Sequence, residues 1–133
     1  MKSKADLPFL ILIALSVEKF IQHMFVSYAF AVDLAGIRAT VVVDHRLLLV
    51  SGFIVGWLFL INIPFLWRRV RGAFYLLFGL ALFDIVGEFI VQGTLFIDMM
   101  VSFLVALAIV LILIFYRKRF FVEQESETPT REN

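Results

Sequence analysis

The stretch ALSVEKFIQHMF, residues 14–25, decides how this chain is read. Glu18, Lys19, Gln22 and His23 stand inside an otherwise apolar run, residues 7–34, which is long enough to cross the roughly 30 Å of a bilayer's hydrocarbon at about 1.5 Å rise per residue. A second stretch, ALFDIVGEFIVQ at 81–92, repeats the pattern with Asp84, Glu88 and Gln92 among Leu, Phe, Ile and Val. Ionisable groups are rare at such depth, because each costs free energy there unless it has a partner.

Around these two stretches the whole chain is apolar. Of its 133 residues 62% are hydrophobic and 17% charged, with 16 Phe and no Cys. A soluble domain carries about 45–50% apolar residues, and a chain this short has too little polar surface to coat one core in water. The missing cysteines exclude a disulfide framework and thiolate metal sites. The basic residues sit in short clusters between apolar stretches and form no continuous basic face, which argues against nucleic acid as a partner.

Four apolar stretches are expected to span a membrane: 7–34, 47–67, 73–93 and 98–116. They must be helices, since lone strands leave backbone groups unpaired in lipid and four spans cannot close a barrel. The expected fold is an all-α integral membrane protein, a four-transmembrane-helix bundle over residues 1–121. The acidic, polar tail 122–133 is expected to be disordered. Lys2, Lys4, Arg68, Arg69, Arg71, Arg117, Lys118 and Arg119 gather on one side, against Arg38 and Arg46 on the other. By the positive-inside rule both termini are then cytoplasmic, with 36–46 and the turn at 92–96 facing outward. Ala29-Phe30-Ala31 has the form of a signal cleavage site, but Glu18, Lys19 and His23 break the apolar run before it, so a retained span is expected.

Glu18 and Asp84 each lie eleven residues into their spans, about 16 Å by helical rise, so they share one level. At 100° per residue Asp84, Glu88 and Gln92 form one stripe, and Glu18, Gln22 and Asp33 form another that is expected to face it. Lys19 and His23 make an adjacent stripe. Left alone in lipid, Glu18, Lys19, Asp84 and Glu88 would together cost on the order of 10–14 kcal/mol. Lys19 is therefore expected to pair with Glu88 or Asp84. Three acids against one Lys leave at least one carboxyl to hold a proton or share it with His23. Glu18, Lys19, Gln22, His23, Asp84, Glu88 and Gln92 are the candidate proton- or ligand-binding residues.

A buried Lys-acid pair can also do no more than fix which helices meet. The excess of acids favours a site, with three readings. One is proton-coupled transport of a cation or small solute through Glu18, Asp84 and Glu88. Another is a membrane enzyme acting on a lipid or sterol-like substrate by acid-base chemistry at a carboxyl and His23. The last is a non-catalytic subunit or assembly factor that docks through the charged seam and Gly52-xxx-Gly56. The expected partners are the bilayer and a second copy or another membrane subunit. Glu18 and His23 are five apart, which is wrong for ligands on one helix, so no metal is expected; nor is any cofactor. Hydrolase, zinc-protease and nucleotide-binding motifs do not occur. The four-span size and the acid in the first span are similar to those of the small multidrug transporters, whereas the third-span acids and the acidic tail depart from that family.

Overall fold

A computed structural model describes the backbone of residues 6–92 and 100–126, and among these residues it is helical with no strand. Four helices follow in order: α1 (Asp6–Val32), α2 (His45–Trp67), α3 (Arg71–Gln92) and α4 (Met100–Ser126). Three segments, Leu7–Val32, His45–Trp67 and Arg71–Ile90, are long and apolar enough to cross a membrane.

Local chemistry sets the helix ends. Past Val32 the chain cannot continue as α-helix, because Asp33, Ala35 and Gly36 all adopt left-handed φ, at 52°, 53° and 73°. A short 3-10 segment, Leu34–Thr40, then folds back. Its Arg38 donates from Nε to the Phe30 carbonyl at 2.9 Å and from a terminal guanidinium nitrogen to the Ala31 carbonyl at 2.8 Å. The Arg38 backbone N–H reaches the Asp33 carboxylate at 3.1 Å. Arg38 is thus the C-cap of α1, a cation laid on orphan carbonyls at the negative end of a helix. Arg38→Ala should fray the last turn of α1, and amide hydrogen exchange over 29–34 should rise well above wild type while that of α3 stays unchanged.

At the start of α2 the Asp44 carboxylate accepts from the Arg46 N–H at 2.9 Å, an N-cap. The helix ends in a Schellman arrangement, with Val70 N–H bonded to Phe65 O at 3.1 Å and Arg69 N–H to Leu66 O at 2.9 Å, and Arg69 in the left-handed position at φ 55°. The Arg69 guanidinium lies 5.0 Å over the Phe9 ring, which ties this turn to the start of α1. Pro64 sits within the continuous helix α2. Asn62 donates to Ala73 O of α3 at 2.9 Å and links the two helices.

α1 packs beside α2 and α4, and α3 beside the same two, which leaves α1 and α3 diagonal. Ring contacts Phe9–Trp67 and Phe20–Trp57, with the Ser27 hydroxyl on Leu49 O, show that α1 and α2 run antiparallel. Gly52 and Gly56 make that approach possible. A Cβ at Gly56 would lie 2.8 Å from His23 Cβ and 2.7 Å from Met24 Cε, and one at Gly52 would lie 3.3 Å from Ser27 Oγ. The glycine pair is therefore spent inside the chain, not on an outside partner, which corrects its expected docking role.

The buried core joins Phe9 and Leu12 of α1, Phe59 and Leu66 of α2, Leu77 and Ala81 of α3, and Ile109 and Leu113 of α4. Polar and charged groups are buried beside this apolar core, while large apolar side chains are exposed. Lys19, Asp84, Asn62, Ser16 and Ser27 are buried, whereas Ile21, Phe25, Ile61, Phe83, Ile90 and Phe115 are more than half exposed.

The fourth helix runs well past the expected end at Tyr116, to Ser126, so the first residues of the polar tail are helical. Adding residues to a formed helix needs no new nucleation, and Glu and Gln are good helix formers. The expected outer turn beyond Gln92, together with Asp98 and the tail from Glu127 on, lies outside the described residues.

Candidate functional site

Lys19 and Asp84 each sit thirteen positions past the first residue of their helices, Asp6 and Arg71, about 20 Å by helical rise. Parallel, diagonal helices with matched depth bring the two side chains together on the axis of the ring. Lys19 Nζ lies 3.0 Å from Asp84 Oδ2, with Lys19 0% exposed and Asp84 6%. The same ammonium donates to Ser102 Oγ at 2.7 Å and Ser102 O at 2.8 Å. An ammonium carries three N–H donors, and here each has an acceptor, so the charge is both paired and fully hydrogen-bonded.

His23 lies one turn further along α1, with Nε2 3.1 Å from both Asp84 oxygens. A carboxylate can only accept, so in this geometry Nε2 carries the proton. The ring stacks on Phe59 of α2, centroids 5.8 Å apart and planes 22° from parallel, against the groove left by Gly52 and Gly56. Three helices thus hold His23 in place. Asp84 receives a cation on one oxygen and an imidazole across both.

The other acids flank this centre. Glu88, one turn beyond Asp84, has the Ser102 hydroxyl within hydrogen-bonding reach, so Ser102 stands between Lys19 and Glu88. Glu88 Oε2 is buried with no hydrogen-bond partner among the described residues. On α1, Gln22 Nε2 donates to Glu18 Oε1, while Glu18 Oε2 and Gln22 Oε1 are buried without partners among the described residues.

The structure corrects which stripe of α1 meets α3. It is Lys19 and His23, not Glu18 and Gln22, that reach Asp84. The physical reason is charge: turning α1 by about one residue, roughly 100°, replaces an acid facing an acid with a cation facing an acid. Glu18 and Gln22 are left beside the centre, half-buried and bonded to each other. Asp33, placed on the same stripe, lies beyond the end of α1, where it accepts from Arg38. Gln92 ends α3, and its side chain is outside the described residues. His45 lies apart from the centre, 3.7 Å from Asp44.

Ser102 is the site residue that reading the sequence misses, although it is a polar residue within the fourth apolar stretch. Its role depends on α4 starting level with Glu88, as the contact of Phe89 with Phe103 at 5.8 Å shows. Among the described residues no three His, Asp or Glu side chains converge in a way that could hold a metal ion. The arrangement can hold a fixed ion pair, pass a proton at His23 or Glu88, and offer unpartnered oxygens to a cation.

Comparison with protein-family models, curated proteins and solved structures finds no match, so this geometry is the basis for function.

Proposed function

We propose that the chain is a multi-pass membrane protein, a four-helix bundle with both termini cytoplasmic, and that its Lys19–Asp84–His23 centre, with Glu18 and Glu88, exchanges protons during transport of a cation or small solute. The distribution of polarity supports the membrane part: large apolar side chains are exposed over the outside, while an ion pair is buried within the apolar core. Helices α1 and α3, marginal alone because of their charges, gain a reason to insert together.

One observation carries the exchange reading. Glu88 Oε2 is a buried acceptor without a partner among the described residues, beside a Lys whose three donors are committed elsewhere. A proton or a cation relieves such an oxygen. Loading and unloading either one is the elementary step of coupled transport. Four helices enclose little volume, so the pathway is expected to form at a contact with a second copy or another membrane subunit.

Proteoliposomes with a trapped pH-sensitive dye test this. Under an imposed pH gradient the wild type should equilibrate the lumen faster than empty vesicles. Asp84→Asn, Glu88→Gln and Glu18→Gln should each slow that step by roughly 10²-fold or more, the usual cost of deleting a proton-transferring group. Equal rates for wild type and empty vesicles would remove the reading.

A further inference from the structure

The Lys19 ammonium is a cation held in a cage of oxygens: Asp84 Oδ2 at 3.0 Å, Ser102 O at 2.8 Å and Ser102 Oγ at 2.7 Å, from two helices other than its own. The cage is dry, since Lys19 is 0% exposed and Asp84 6%. Beside it, Glu88 Oε2 is a further buried acceptor with nothing to accept from among the described residues. We infer that Lys19 occupies, as a tethered competitor, the binding site of an ammonium-type cation, either the ammonium ion itself or the head of a primary amine.

Charge and the need for N–H donors select this class. A monovalent cation that displaces the Lys19 ammonium keeps the charge opposite Asp84 unchanged, whereas a divalent one would leave an excess. The three acceptors are arranged around N–H donors, which an ammonium has and a quaternary amine lacks. The displaced Lys19 head has a candidate destination in Glu88 Oε2, a buried acceptor with no partner among the described residues. Exchange of Lys19 between Asp84 and Glu88 would then let the ligand in and out. This deepens the transport reading by naming a substrate class, but the cage itself is tested without transport.

Lys19→Met removes little more than the ammonium and leaves a hole of one such group; Lys19→Ala removes the stem as well. Both variants are purified in detergent, and their thermal unfolding is followed in ammonium, n-propylammonium and tetramethylammonium chloride at equal ionic strength. Lys19→Met should be stabilised by ammonium and Lys19→Ala by n-propylammonium, each saturably, with a rise of about 5 °C at ten times the dissociation constant. Tetramethylammonium should do nothing, and Asp84→Asn added to either variant should abolish the gain. If a variant aggregates without the cation, recovery of monodisperse protein in its presence is the same positive result. No gain or recovery in any salt, or an equal gain with tetramethylammonium, overturns the inference. Rescue in detergent without proton flux in vesicles would keep the cage and remove transport; flux without rescue would do the reverse.

Discussion

Lys19→Met and Asp84→Leu should each destabilise the protein by about 3–5 kcal/mol, and the double variant should recover most of that loss. Each single change leaves one charge in a dry interior with half its partners. After Lys19→Met, Asp84 keeps only the His23 imidazole; after Asp84→Leu, the ammonium keeps only the two Ser102 oxygens. Removing both charges leaves an apolar contact between α1 and α3, and replacing a buried pair by apolar residues is often neutral or stabilising by about 1–4 kcal/mol. The double-mutant cycle, read by thermal unfolding in detergent, should give a coupling of several kcal/mol, far above the ~0.3–0.5 kcal/mol scatter of independent sites. Additive losses would mean that the two side chains do not meet. The double variant should also be inactive in the vesicle assay despite being stable, which separates the fold from the chemistry.

Gly56→Ala should cost about 1–3 kcal/mol, as overpacking a close contact does, and should slow proton exchange as well. Met24 Cε, 2.7 Å from the added Cβ, is the end of a flexible side chain and can move. His23 Cβ at 2.8 Å is fixed to the α1 backbone and cannot move without shifting that helix. Moving it draws the imidazole away from Asp84, so a methyl group on α2 reaches the centre through His23. Gly52→Ala is the contrast: its nearest neighbour is the rotatable Ser27 hydroxyl at 3.3 Å, and its effect should be several-fold smaller. Equal unfolding temperatures for Gly56→Ala and wild type would show that α1 and α2 do not approach as described.

The pairing of Lys19 with an acid of the third span could be read from the sequence, because an ion at mid-depth with no route to water must find its opposite, and only Asp84 and Glu88 lie near its level. The stripe that makes the contact could not. A helical wheel gives angles within one helix but not the rotation of one helix against another, and charge pairing across the diagonal fixed that rotation. Gly52 and Gly56 were visible as small residues, yet whether they meet α1 or another chain depends on which face α2 turns inward. Ser102 lacked any signal beyond being polar in an apolar run, and the level at which α4 begins gives it its place. Arg38 was counted as an outer charge, whereas its role depends on the left-handed turn at Asp33, Ala35 and Gly36 that carries it back onto α1.

The central claim is that Lys19 and Asp84 touch inside the bilayer, and solid-state NMR of the protein in lipid tests it most directly. Of the four lysines only Lys19 lies within an apolar stretch, and its signal is identified by its loss in Lys19→Met. With ¹⁵N at Lys Nζ and ¹³C at Asp Cγ, the Lys19 nitrogen should show dephasing that corresponds to about 4 Å, one C–O bond beyond the 3.0 Å contact, and Asp84→Asn made with unlabelled Asn should abolish it. A Lys19 signal with no dephasing in the wild type would contradict the account.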